Sequence, residues 1–203
     1  MKIDLHVHCS ERSSCAVSDA DSQIRAAIEM GLDALAFTDH FRLVPPDELI
    51  ALNERFAPFR VYSGIEITAD KEDWLVFGIQ DPKIERRLWT YPDLWNFVRE
   101  RQGVMILAHP FRWEPLIHVD LATYPPDGVE FRSHNTPAER EEEIIRLACQ
   151  YGLGLFQNSD SHHVRMIGQF YNDLPGRPDS ESSLLESLRA LKALTPCAEK
   201  QRR

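Results

Sequence analysis

Imidazole and carboxylate groups recur at short, ordered intervals in this chain. His6 and His8 stand one residue apart in DLHVH, and Asp39 and His40 close FTDH. Glu66 lies in GIE, His109 leads into proline in AHP, and Asp160, His162 and His163 follow in SDSHH. Alternate residues of a strand share a face, so His6 and His8 can reach one ion together. Neutral imidazoles mixed with carboxylates suit Zn²⁺, Mn²⁺ or Fe²⁺, and no thiolate cluster is present to demand zinc. Glu66 sits in an apolar strand, where an unpaired carboxylate costs roughly several kcal/mol unless a cation compensates it. Each motif alone has an ordinary reading as a turn, a cap or a surface histidine, and Asp39 reads equally as the outer partner of a histidine. Together they predict a metal centre.

The elements that must position these groups read as strand, helix, strand. Residues 2–7 are a strand with Ile3, Leu5 and Val7 on one face and Asp4, His6 and His8 on the other. A helix follows from about Ser18, with Ile24, Ala27 and Ile28 as its stripe and Gly31 as its stop. ALAF (34–37) is a short buried strand, 46–56 a helix, and 60–68 and 74–79 two strands, with Gly64 easing a bend. A helix near 92–101 leads to strand 104–108, and GVEF (128–131) is another strand. Thr136-Pro137-Ala138-Glu139 reads as a capping box opening a helix to about Gln150. GLFQ (154–157) is a last core strand. Leu184, Leu188 and Leu191 mark an amphipathic helix over 180–194, and AEKQRR is a frayed tail. Alternating strands and helices imply an α/β fold with a mostly parallel sheet. The polar groups then fall at or near the C-terminal ends of strands, the edge where such folds assemble active sites.

At 203 residues the chain fits one domain over 1–203, and 43% apolar residues argue against disorder. No apolar run approaches a membrane span, and the N-terminus lacks the pattern of a signal peptide. Cysteines at 9, 15, 149 and 197 form no CxxC pair, which favours a reduced, cytoplasmic setting. A formal net charge of −9 argues against an extended nucleic-acid groove. It leaves a small anionic substrate open, because bound metal ions reverse the local field.

DLHVH, FTDH, GIE, AHP and SDSH, in that order over about residues 1–170, resemble the PHP (polymerase and histidinol phosphatase) family. The resemblance implies a distorted seven-stranded (β/α) barrel, related to the TIM barrel, with two or three divalent metal ions at its C-terminal edge. It implies hydrolysis of phosphomonoesters or phosphodiesters. Carried over by position, the metal ligands are His6, His8, His40, Glu66, His109, Asp160 and His162. Two positions depart from the pattern. Ser14 stands where the family often has Asp or His; Glu11 is the nearby substitute, and Cys15 reads as packing. After GVEF the family supplies one more ligand, for which Ser133, His134 and Asn135 are candidates and His134 is favoured.

The expected activity is a metal-dependent phosphoesterase acting on a small metabolite or nucleotide. Metal coordination lowers the pKa of water to about 7, giving a hydroxide for in-line attack on phosphorus. His40 or His163 is the candidate proton donor to the leaving group. Arg12, Arg112 and Arg165, each in a loop just after a motif, are candidates to bind phosphate oxygens. Phe41, Trp113 and Tyr171 suit an organic leaving group or the core. Two other readings compete: a non-catalytic metal-binding module, kept open by Ser14, and an amidohydrolase-type C–N hydrolase.

Overall fold

The computed structural model describes residues 1–194. It contains β1 (Lys2–Val7), α1 (Ala20–Glu29), β2 (Ala34–Phe37), α2 (Pro46–Phe56), β3 (Arg60–Ala69), β4 (Glu72–Phe77) and α3 (Tyr91–Glu100). It continues with β5 (Val104–Leu107), β6 (Gly128–Arg132), α4 (Glu141–Tyr151), β7 (Gly154–Gln157), β8 (Asn172–Asp173) and α5 (Glu181–Leu194). The strands form one sheet in the order β7-β6-β5-β4-β3-β2-β1-β8. It is a nearly closed barrel with one seam, in place of the seven strands expected. The extra strand, β8, is a two-residue antiparallel partner of β1, too short to leave a periodic signal.

Six strands run parallel, but β4 runs antiparallel to both β3 and β5. A two-residue turn joins β3 to β4, with Asp70 and Lys71 at φ 48° and 72°. Left-handed angles at both positions match the right-handed twist of a hairpin. The seam is bridged by side chains. Asn172 exchanges two hydrogen bonds with the backbone of Gln157 and donates to Asn158 Oδ1, which also accepts the N–H of Leu5. Just beyond β7, Ser161 pairs with β1 through Ser161 N–H to His6 O and His8 N–H to Ser161 O.

Strand alternation places two sets of apolar side chains. Ala34, Ala36, Leu75, Phe77, Val104, Ile106 and Phe156 pack with Ile3, Leu5 and Leu184 and Leu188 of α5. The opposite faces meet the helices: Leu35, Phe37 and Val61 pack with α1 and α2, and Ile65, Trp74, Met105 and Val129 with α3 and α4. At Gly64 the interior is so full that a Cβ would lie 2.6 Å from the Phe77 ring, so this glycine serves close packing.

β1 departs from simple alternation. Its pairing with β2 steps from Asp4↔Leu35 to Val7↔Phe37, three residues against two. One extra residue flips the phase of a strand. Hence Ile3 and Leu5 join the interior set, Val7 joins the outer set of α1 and α2, and His6 and His8 still converge with Glu66. The sequence expectation of a single face for Ile3, Leu5 and Val7 is corrected by this bulge.

The helices start close to expectation, with one change. Asp19 caps α1 by accepting the N–H of Ser22, and Gly31 follows its end at φ 77°. The expected capping box at Thr136 does not form: Thr136 Oγ1 pairs with Ser133 Oγ, a 3₁₀ turn covers Ala138–Arg140, and α4 begins at Glu141. The expected tail AEKQRR lies outside the described residues. Among the described residues no helix is long and apolar enough to cross a membrane. Cys9 and Cys15 are free thiols, and Cys149 is disulfide-bonded.

Candidate metal centre

Four donor atoms from three segments converge inside the barrel. His6 Nε2 lies 3.4 Å from Glu66 Oε2 and 3.2 Å from Asp160 Oδ1. His8 Nε2 lies 3.2 Å and 3.3 Å from the same two oxygens. All four atoms are buried, and none has a hydrogen-bond partner. Leaving such an atom unsatisfied costs about 1–3 kcal/mol each. A tetrahedral ion with bonds of about 2.0–2.1 Å would separate its donors by roughly 3.3–3.4 Å. The four measured separations match that spacing, so the donor set fits a divalent cation.

Hydrogen bonds behind the donors fix which nitrogen faces inward. His6 Nδ1 is 3.1 Å from Glu130 Oε1, an acceptor, so Nδ1 carries the proton there and Nε2 is left for a metal. The Ser13 hydroxyl donates to Asp39 Oδ1 at 2.7 Å, so its oxygen must accept from His8 Nδ1 at 3.3 Å. Asp39 therefore orients His8 through Ser13 rather than touching a histidine itself. Its carboxylate also accepts the N–H of Cys9 and the guanidinium of Arg12. On the other side, Asn135 Nδ2 donates to Asp160 Oδ2 at 2.6 Å, leaving Oδ1 to face the centre.

The remaining imidazoles ring these four atoms. His109 Nε2 is 3.1 Å from Glu66 Oε1, and His40 Nδ1 is 3.0 Å from Glu66 Oε2. The His162 ring lies tilted beside His8, with centroids 4.3 Å apart, and its Nδ1 donates to Asp160 O. Ligand-capable atoms group as His8–His40–His162, His6–His109–Asp160, His6–His8–Glu66 and Glu66–Asp73–His109. Two of these residues hold left-handed backbones, His109 at φ 24° and Asp160 at φ 50°. Such conformations cost about 1–3 kcal/mol and persist where the surroundings enforce them. For His109 the enforcing contact is its N–H on Glu130 Oε2.

Without metal, the cluster is a set of buried ion pairs. Burial pulls the His8 pKa down, but Asp160 and Glu66 outweigh it and raise it to about 9. His6 moves up by the same balance, against burial and toward Asp160 and Glu66. Glu66 and Asp160 move down because burial is outweighed by the histidines around them. His40 and His162 instead lie below the usual imidazole value, through burial and the neighbouring His8. They are neutral at neutral pH, the form that ligates metal.

Several sequence-derived candidates sit elsewhere. Glu11 faces the N-terminus of α1, where both its oxygens accept the N–H of Ala20, so it does not substitute for the exposed Ser14. His134 points away from the centre: its ring meets Phe170 and its Nε2 meets Met166 O. Of the three candidates after β6, Asn135 reaches the site, through Asp160. Arg12 is almost buried and is held by Asp39 and Glu48. Arg165 is exposed, and His163 accepts the Arg165 N–H. Among the described residues neither is brought against the cluster. Arg112 is brought there, with Nη1 3.8 Å from Asp160 Oδ2.

Sequence reasoning passed over Glu130, Asp73 and Ser13. Glu130 carried a readable signal, a carboxylate inside the apolar strand GVEF, the same signal that marked Glu66. Asp73 and Ser13 carried none, because a polar residue at a strand start or in a loop is ordinary.

The structure resembles several solved proteins. One is a chain from Bifidobacterium adolescentis, provisionally described as a metal-dependent phosphoesterase: TM-score 0.69, 15% identity, 92% of this chain and 95% of that one covered. Another is a two-domain protein from Bacteroides vulgatus containing a predicted PHP-like metal-dependent phosphoesterase, with TM-score 0.60, 19% identity, and 80% and 52% covered. An amidohydrolase from Chromobacterium violaceum gives TM-score 0.65 and 15% identity, with 94% and 97% covered. At these identities the likeness shows the fold. No curated protein matches the chain. The PHP domain model matches residues 4–199, almost the whole length, and with the barrel and its histidine–carboxylate cluster in view the conclusion is direct: the chain belongs to the PHP family.

Proposed function

We propose that this protein is a metal-dependent phosphoesterase that hydrolyses a phosphomonoester or phosphodiester of a small metabolite or nucleotide. The observation that carries the metal centre is the convergence of four unpartnered, buried donors, His6, His8, Glu66 and Asp160. Family membership and one cation at the mouth, Arg112, carry the choice of ester. His40, His109 and His162 are the further ligand candidates.

When bound, divalent ions here supply Lewis acidity, which lowers the pKa of coordinated water and neutralises charge on phosphoryl oxygens. The protein's own groups hold that chemistry in place. Glu130 and Ser13 keep the inward nitrogens of His6 and His8 free of protons once metal is present. Glu66 offers one oxygen toward His6, His8 and His40 and the other toward His109, an arrangement suited to bridging. Arg112, about a quarter exposed, can extend its guanidinium to phosphate oxygens. His40, neutral at neutral pH, suits ligation better than proton donation.

The test is hydrolysis of an aryl phosphomonoester and an aryl phosphodiester by protein reconstituted with Mn²⁺. Metal-dependent turnover of either ester, abolished by His6→Ala, is the expected result. Metal binding with no turnover of either, but turnover of an amide, would move the chain to C–N hydrolysis. Metal binding with no turnover at all would favour the non-catalytic module.

A further inference from the structure

The segment after β6, where the family resemblance implies a ligand, delivers none directly. Ser133 is tied to Thr136, His134 faces Phe170, and Asn135 spends its amide on Asp160. A carboxylate arrives from the antiparallel strand instead. Asp73 pairs across the hairpin with Thr68, whose hydroxyl donates to Asp73 Oδ1 at 2.5 Å. That contact leaves Oδ2 to approach His109 Nε2, at 3.9 Å. The same nitrogen is 3.1 Å from Glu66 Oε1, and ligand-capable atoms of Glu66, Asp73 and His109 lie within 4.8 Å of one another. Glu66 is 1% exposed, and its other oxygen, Oε2, makes no hydrogen bond and is turned toward His6, His8 and His40. Its two oxygens thus serve two adjacent donor groups.

We infer that Asp73 is a metal ligand: with Glu66 and His109 it holds a second divalent ion beside the four-donor site, in the place the segment after β6 leaves unfilled. This rests on the metal-centre reading above. Asp73 and His109 also line a cavity of about 290 Å³ with Phe111, Arg112 and Trp113. An ion held there faces the space a substrate would enter. The turn that brings Asp73 in is local, since the two-residue hairpin fixes which β4 residue stands opposite Thr68.

Metal content and calorimetric titration with Mn²⁺ test the inference without any assay of activity. Wild-type protein is expected to bind at least two ions, and Asp73→Asn to bind one fewer, with the tighter site kept. Equal stoichiometry and affinity in Asp73→Asn would overturn the inference while leaving the metal centre intact. A wild type that binds one ion would overturn it too, and one that binds none would overturn both. Asp73→Cys loaded with Co²⁺ gives an independent readout should the asparagine variant misfold. A thiolate-to-cobalt charge-transfer band absent from the wild type is expected, and a spectrum like the wild type's would count against ligation.

Discussion

The floor and the rim of the site are built on different terms. At the floor, His6, His8, Glu66 and Asp160 are at most 1% exposed, and three of them are braced from behind by Glu130, Ser13 and Asn135. At the rim, His40 and His162 are 35% and 20% exposed, and Arg112 is 27% exposed. Buried polar groups locked by a second layer of hydrogen bonds are preorganised for an ion. Half-exposed groups keep freedom to adapt. On the function proposed above, the tightest metal affinity belongs to the floor, and discrimination among substrates to Arg112 at the rim.

The sharpest way to break this division is to remove a floor donor. His6→Ala should lower metal affinity by more than the about 10- to 100-fold typical of an outer partner and abolish turnover. A loss confined to turnover would erase the distinction. Glu130→Gln is the next step down. It keeps an acceptor for His6 but removes the charge, and metal affinity should fall about 10- to 100-fold with the fold intact. At the rim, Arg112→Ala should leave metal content unchanged and lower kcat/KM about 10- to 100-fold, the value of a lost charge-assisted contact of about 1.5–3 kcal/mol. The smallest effect should come from His134→Ala, within roughly twofold in metal content and turnover.

Protons sharpen the same contrast. His8, raised to about 9 in metal-free protein, must lose a proton before it can ligate. Metal binding to the floor should release protons below that pH, and apparent affinity should climb as pH rises toward it. The raised histidine also adds stability that is complete below its unfolded value of 6.5 and is lost as pH rises through about 9. Metal-free protein should lose stability across that window, followed by thermal unfolding at several pH values.

The site's chemistry was more legible than its geometry. His6 and His8 could be paired from spacing alone, and they do converge. Yet the alternation that put Ile3, Leu5 and Val7 on one face breaks at a bulge between Asp4 and Val7 that no residue type announces. Glu66 stood out because a carboxylate in an apolar strand needs compensation, and Glu130 would have stood out by the same test. Glu11 and His134 misled because side-chain direction in a loop follows no period: one turned to a helix N-terminus, the other to Phe170. The antiparallel course of β4 was hidden because its turn uses Asp70 and Lys71 where Asn-Gly or Asp-Gly would have signalled a hairpin.

The measurement that bears most directly on the account is anomalous diffraction from crystals soaked in Zn²⁺, recorded at the zinc edge. A peak enclosed by His6 Nε2, His8 Nε2, Glu66 Oε2 and Asp160 Oδ1 is expected. A fully soaked crystal with no peak among those four atoms, or with zinc only at surface residues, would contradict it.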